Sequence, residues 1–254
     1  MTRMIKLCNT LYHLHKTAII DTTRAKAIRI PNRPEETMQF TRLLLTSQSP
    51  RRREMLAWLG VPAGLTQAEV DETPHDGEQP FTTAARLASA KVHAAEPPNK
   101  DVWILGADTV VDLDGIALGK PADPVEARTM LHQLRARSHA VHTGVALFHP
   151  QTRRLGMRCV TSTVQMRAYT EVEIEAYVRS RDPMDKAGAY AIQNNVFRPV
   201  AFVDRCYANV VGFPLCAIAA LLETWGLALT VDIPALCRMH FDYHCPRPDI
   251  GISL

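Results

Sequence analysis

Thr46-Ser-Gln-Ser-Pro-Arg-Arg-Arg53 lies between the apolar run Leu43-Leu44-Leu45 and the segment Glu54–Leu59, which Gly60 closes. This order predicts a strand, a tight turn and a helix. Ser49 suits the N-cap, Pro50 the first helical position and Gly60 the C-terminal stop. A helix begins with free backbone N–H groups and the positive end of its dipole, so Arg51, Arg52 and Arg53 stand where positive charge is unfavourable. They need an anionic partner. With Ser47 and Ser49 in the same turn, the fork geometry of arginine favours phosphate oxygens.

Composition bounds the rest. The chain has 254 residues, 46% of them hydrophobic and 22% charged, enough for a large core as one big domain or two lobes. A net charge of +3 is too weak to imply nucleic acid, and no Lys/Arg stripe with interleaved aromatics is present. No apolar run approaches the ~20 residues of a membrane span. The six cysteines are scattered without a CxxC pair, which points to reduced thiols and a cytoplasmic location rather than a disulfide framework. Up to Pro34 the chain carries seven Lys/Arg against the single acid Asp21, so residues 1–39 read as a poorly ordered N-terminal extension. Residues 40–228 read as the folded domain and 229–254 as a Pro- and Cys-containing tail.

Within the domain, Ala68–Thr73 reads as an extended acidic piece. Phe81–Ala95 reads as an amphipathic helix with Ala85, Leu87, Ala88 and Val92 on one side. Val102–Leu105 is a buried strand running into Gly106-Ala-Asp-Thr109, and Asp112–Gly115 is a hairpin-type turn. Asp123 and Glu126 form a capping-box pattern for a helix from Pro124 to Arg135. His139–Phe148 and Cys159–Arg167 alternate as strands, and Glu171–Arg179 is helical. Lys186–Gln193 reads as a small-residue loop entering a strand, and Leu215–Trp225 as a helix. Strands and helices alternate without internal repeats, so the class is mixed α/β.

The chemistry-bearing residues stand at element ends: Ser47, Ser49, Arg51 and Arg52; Glu72; Asp108; and Lys120, with Lys91 and Lys186 as further candidates. Singly each is weak. Asp108 is as readily a structural acid, and Gly119-Lys120-Pro121 lacks the spacing and the Ser/Thr of a P-loop. Together they make chemical sense. Acids hold a hard divalent cation through oxygen, the cation bridges phosphates held by Arg and Lys, and a spare carboxylate takes a proton from water. The pattern suggests metal-assisted hydrolysis of a phosphoanhydride.

Ser47-Gln-Ser-Pro-Arg-Arg52, Gly106-Ala-Asp-Thr109, Gly119-Lys-Pro121, Asp185–Gln193 and Asn209-Val-Val-Gly-Phe-Pro214 occur in this order. Over about residues 41–228 the chain resembles the Maf family of nucleoside triphosphate pyrophosphatases. The resemblance implies an α/β fold with an elongated mixed sheet flanked by helices, two lobes around a central cleft, and often a homodimer. It implies hydrolysis of a nucleoside triphosphate to the monophosphate and pyrophosphate with Mg²⁺ or Mn²⁺. Asp108 matches the family's proton acceptor, and Glu72 falls where a metal-associated acid is expected. Arg51, Thr109 and Gln193 match positions associated with base selection. Ser47, Arg52, Lys91, Lys120 and Lys186 fall at phosphate-contacting or catalytic positions. The Ala-Tyr-Ala-Ile-Gln193 ending marks members that prefer dTTP and UTP, and a Gln amide pairs with the O and N–H edge of a pyrimidine.

Two departures bear on selectivity. Asn194-Asn195 stand where the family usually has glycines; Asn tolerates left-handed backbone better than most residues, so a turn with an altered loop shape is expected. Arg205-Cys206-Tyr207 replaces a glycine-containing turn. In the tail, Cys237, His240, His244 and Cys245 offer zinc-type donors, but adjacent His244-Cys245 is awkward for tetrahedral ligation, and incidental thiols and imidazoles are the preferred reading. The leading expectation is a dTTP/UTP pyrophosphatase. The alternatives are a broad-specificity pyrophosphatase and a nucleotide-sensing regulator of cell division, with a nucleic-acid module last.

Overall fold

The computed structural model describes residues 43–227, 229–245 and 251–254. The N-terminal extension expected over residues 1–39 lies outside the described residues. Among the described residues, eight strands form one mixed sheet. They are β1 (Leu43–Thr46), β2 (Ala63–Thr66), β3 (Trp103–Leu113), β4 (Ile116–Leu118), β5 (Ser138–His149), β6 (Arg154–Met166), β7 (Val200–Asp204) and β8 (Ile252–Ser253). The order is β2-β1-β3-β5-β6-β7, with β4 on β3 and β8 on β6. Seven helices accompany them among the described residues: α1 (Pro50–Trp58), α2 (Pro80–Ala94), α3 (Pro124–Leu134), α4 (Glu171–Arg179), α5 (Tyr207–Val211), α6 (Leu215–Thr224) and α7 (Ile233–Phe241). The mixed α/β class and the flanking helices are as the sequence indicates.

The register of β3 creates the key gap. Its first half runs parallel to β1, ending at the pair Thr46↔Gly106, and its last residues pair antiparallel with β4 from Val111↔Leu118. Between them, residues 107–110 keep β5 on one side and no strand on the other. The turn after β1 opens beside this stretch. Because side chains alternate along a strand, Leu105 and Ala107 join the core beneath α1 and α6, whereas Ile104 joins the core beneath α2. Asp108 therefore belongs to the α2 side and Thr109 to the α1 side. A further core, built from α3, α4 and the far ends of β3, β5 and β6, contains Val111, Leu131, Val164, Ile174 and Tyr190.

Helix α2 lies very close to the sheet. A Cβ on Gly144 would come within 2.3 Å of the Ala84 carbonyl oxygen, so no larger residue fits at that crossing. The predicted apolar face is confirmed, since Ala85, Leu87, Ala88 and Val92 are all buried.

Four details differ from expectation. Ala68–Thr73 is irregular, and the strand before it is β2. Asp123 caps α3 through the N–H groups of Val125 and Glu126, but Glu126 reaches the N–H of Ala122, one residue beyond the capping-box partner. Residues 190–199 form turns instead of a strand, because the N–H of Ala191 donates to the Tyr177 hydroxyl and not to a neighbouring strand. The tail carries α7, capped by Asp232, with Cys237 buried in the core beneath α1 and α6.

Candidate active site

Helix α1 begins as its sequence requires. The Ser49 hydroxyl accepts from the Arg52 N–H, and the Ser47 hydroxyl accepts from the Ser49 N–H at 3.2 Å. The three arginines then separate. Arg53 is exposed. Arg51 lies near enough to Tyr177 and to Arg52 to act on both electrostatically. Arg52 turns into the gap beside β3: it donates to the Ala107 carbonyl at 2.7 Å, to the Gly212 carbonyl at 2.9 Å and to the Thr109 hydroxyl at 3.0 Å. It thus supplies the donor that no strand provides at Ala107. Burial pulls its pKa below the ordinary value, with Asp108 opposing that shift.

On the other face, Lys91 on α2 donates to Asp108 Oδ1 at 2.5 Å and to Glu72 Oε1 at 2.7 Å. Lys120 adds a 3.5 Å contact to Glu72 Oε2. Asp108 is only 7% exposed. Burial raises its pKa, while Lys91 and Arg52 resist. Glu72 moves the other way: burial would raise it, but the bond and charge of Lys91, with Lys120, carry it below the ordinary range. A carboxyl readied to hold a proton and a carboxylate held ionised share one ammonium.

The remaining sequence candidates stand apart from that cluster. Lys186 is clasped by Asp185 at 2.5 Å and by Asp182 at 3.1 Å, and is joined to the Lys120 loop through the backbone bond from Gly188 to Gly119. Gln193 is exposed among the turns after Tyr190. Neither Asn194 nor Asn195 has positive φ, so the turn is made without the left-handed backbone that Asn tolerates. Instead, the Asn194 side-chain oxygen Oδ1 accepts from the N–H groups of Val196 and Phe197, and its Nδ2 donates to Asp182. The left-handed residue before Tyr207 is Arg205, φ 75°.

Several functional-looking residues carry no clear sequence signal. Thr143, inside an alternating strand, bonds to Thr109 and to the Asn209 carbonyl. Gly212, within a motif already noted, has φ 101°, and a Cβ there would lie 2.9 Å from the Thr109 hydroxyl oxygen. Only glycine lets this backbone close over Arg52 and Thr109.

Comparison with known proteins covers the stretch of chain that carries this geometry. A sequence profile described as Maf-like protein matches residues 42–225. The chain belongs to the Maf family. A Myxococcus xanthus relative named dTTP/UTP pyrophosphatase is 45% identical over 189 residues, covering 74% of this Maf chain and 95% of the relative. Relatives of the same name from Pelotomaculum thermopropionicum (41% over 184 residues, 72% and 96%) and Geobacter metallireducens (40% over 186 residues, 73% and 97%) agree.

Elsewhere in this Maf protein, two of the zinc-type donors of the tail are used for packing: His240 stacks on Trp58 at 3.8 Å, and burial pushes the Cys237 thiol up to about 12. Among the described residues, no three His, Cys, Asp or Glu side chains are grouped to hold a metal ion, and no helix is long and apolar enough to cross a membrane.

Proposed function

We propose that the domain over residues 40–228 hydrolyses dTTP and UTP, modified pyrimidine triphosphates included, to the monophosphate and pyrophosphate. The observation that carries this reading is the Asp108–Lys91–Glu72 arrangement set against the arginine turn. An anion-binding turn alone would only bind. A buried acid with a raised pKa, beside a paired carboxylate and two lysines, supplies the base that cleavage needs.

In this reading the first turn of α1, with Ser47, Arg51 and exposed Arg53, receives the phosphates. Arg52 holds the backbone of that turn against β3, and its charge faces Asp108. Asp108 accepts the proton of the attacking water as the α–β phosphoanhydride breaks. Lys91 keeps both carboxylates in place and balances their charge, and Lys120 lies over Glu72 toward the leaving phosphates. Lys186 and Gln193 belong to the loop that contacts the nucleoside end.

A divalent cation fits this donor set: Mg²⁺ and Mn²⁺ sites commonly use one or two carboxylates, with substrate phosphates and water completing the shell. Glu72 and Asp108 would hold it, and when bound it would neutralise charge developing on the phosphates. The enzyme would act in the cytoplasm, and a homodimer is the expected assembly, checked by light scattering.

A pyrophosphate-release assay with Mg²⁺ or Mn²⁺ over dTTP, UTP, CTP, dATP, dGTP and modified pyrimidine triphosphates tests the reading. Release is expected from dTTP and UTP and is lost in Asp108→Asn. Equal rates for the two proteins would remove Asp108 as the base. A flat substrate ranking would favour the broad-specificity alternative.

A further inference from the structure

Four cysteines gather at one place, two from inside the stretch matched by the family profile and two from beyond it. Cys206 directly precedes α5, Cys216 is the second residue of α6, Cys237 lies on α7, and Cys245 follows that helix. Cys206 and Cys237 are buried in the same core, and Cys216 and Cys245 are half-buried. The other three all act electrostatically on Cys206, and Cys216 and Cys245 act on Cys237. Hydrogen bonds and rings fix the meeting point. The Tyr243 hydroxyl donates to the Arg205 carbonyl at 2.9 Å, and its ring lies 5.4 Å from that of Tyr207, so the segment leading to Cys245 is moored on both sides of Cys206. Cys206 is in turn tied to β6: its carbonyl accepts from the Ser162 hydroxyl at 2.9 Å, and that hydroxyl accepts from the Asn209 amide at 3.0 Å.

A buried thiol packs as a small hydrophobe, so one or two would need no further account. Four together do. Burial pushes the Cys206 and Cys237 thiols up, and the neighbouring thiols push both further, so no one of them ionises cheaply beside the rest. A metal cation turns that mutual penalty into attraction, because it deprotonates the thiols that bind it. Thiolates select zinc or iron–sulfur centres over Mg²⁺, so this chemistry differs from that of Glu72 and Asp108. The imidazoles of the tail are poorer donors here: His240 is stacked on Trp58, and His244 is exposed.

We propose that Cys206, Cys216, Cys237 and Cys245 hold a thiolate-bound metal centre, zinc or an iron–sulfur cluster, that fastens the C-terminal segment to the domain. As the side chains stand, no three of these sulfurs are grouped around a single ion. Closure takes a change of χ1 rotamer at the half-buried Cys216 and Cys245, which leaves α6 and α7 in place and gives the metal its way in. Each thiol releases its proton to water as its sulfur binds. The proposal is independent of the hydrolytic reading.

The full chain, purified without oxygen or chelator, tests it. Elemental analysis is expected to find stoichiometric zinc, or iron with acid-labile sulfide, and so tells the two centres apart. After removal of the native metal, added Co²⁺ should give the intense absorption of cobalt–thiolate bonds. Cys216→Ser and Cys245→Ser should each lose the stoichiometric metal and melt at lower temperature, whereas Cys159→Ser and His244→Ala keep it. If Cys216→Ser does not fold, Cys245→Ser, outside the matched domain, decides alone. A chain with neither native metal nor a cobalt–thiolate spectrum would overturn the proposal. So would full metal content in Cys245→Ser, or a disulfide among the four cysteines in peptide mass mapping of the same preparation.

Discussion

The stretch of β3 around Asp108 and the loop between α4 and β7 both contribute candidate site residues, yet they are built in opposite ways. Asp108 and Thr109 lie in regular extended backbone, bonded to β5 on one side and overlain by α2, with no positive φ between Trp103 and Leu113. The loop that carries Lys186 and Gln193 contains positive φ at Arg181, Gly188, Ala189 and Arg198. Its order comes from side chains: Tyr177 donates to Asp182, Asn194 gathers Asp182, Val196 and Phe197, and Tyr190 meets His139 at 2.8 Å. In the proposed reading, the group that takes the proton is set on a regular sheet, and the exposed amide at Gln193 is set on backbone that substitutions can reshape. Base chemistry and base choice should therefore respond to different mutations.

The largest expected effect is at the rigid end. Asp108→Asn should lower pyrophosphate release by ~10³-fold with little change in substrate ranking. A change in ranking without loss of rate would break the division.

The second test strikes the His139–Tyr190 contact, which joins β5 to that loop. Burial lowers the pKa of His139 to about 4, against the opposing charge of Asp112. The folded state therefore binds this proton less readily than the unfolded state, whose imidazole titrates near ~6.5. Its stabilising contribution is complete above ~6.5 and is lost as pH falls from there to about 4, a swing of order 3 kcal/mol. Denaturant melts should show wild type losing more stability across that window than His139→Gln. Parallel curves would remove His139 from the account.

Gly212→Ala places a methyl 2.9 Å from the Thr109 oxygen on backbone of φ 101°. It should cost about 2 kcal/mol in unfolding free energy and slow turnover with it. Stability retained at wild-type level would mean that the backbone over Arg52 is looser than its contacts indicate. The smallest effect belongs to the loop. Gln193→Ala should shift the ratio of dTTP or UTP to other triphosphates by ~10-fold while unfolding free energy stays within ~0.5 kcal/mol. An unchanged ratio would remove the selective role from this amide.

What the sequence discloses is mostly local. Ser49, Pro50 and Gly60 delimit α1 because capping acts over three or four residues, and the apolar face of α2 repeats at helical spacing. The destination of Arg52 was not legible: its acceptors are 55 and 160 residues away, on β3 and after α5. Thr143 and Ser162 look like ordinary polar positions in alternating strands, and only the sheet register puts them beside Thr109 and Asn209. Ala-Tyr-Ala-Ile imitates a strand because the pattern is right, but Tyr177 takes the bond that pairing would need. Helix α7 did have signals, Asp232 as cap and Pro234 in the first turn. They were obscured by the cysteines and histidines that drew attention to metal.

The family match stops at residue 225, yet α7 lies beyond it, stacking His240 on Trp58, the last residue of α1, and setting Phe241 edge-on to the same ring. The helix whose opening turn is proposed to receive the phosphates is thus buttressed at its other end by a segment outside the matched domain. This gives selection a remote adjustment: substitutions in an appended helix can retune the grip of the arginine turn while every residue of the shared motifs stays the same.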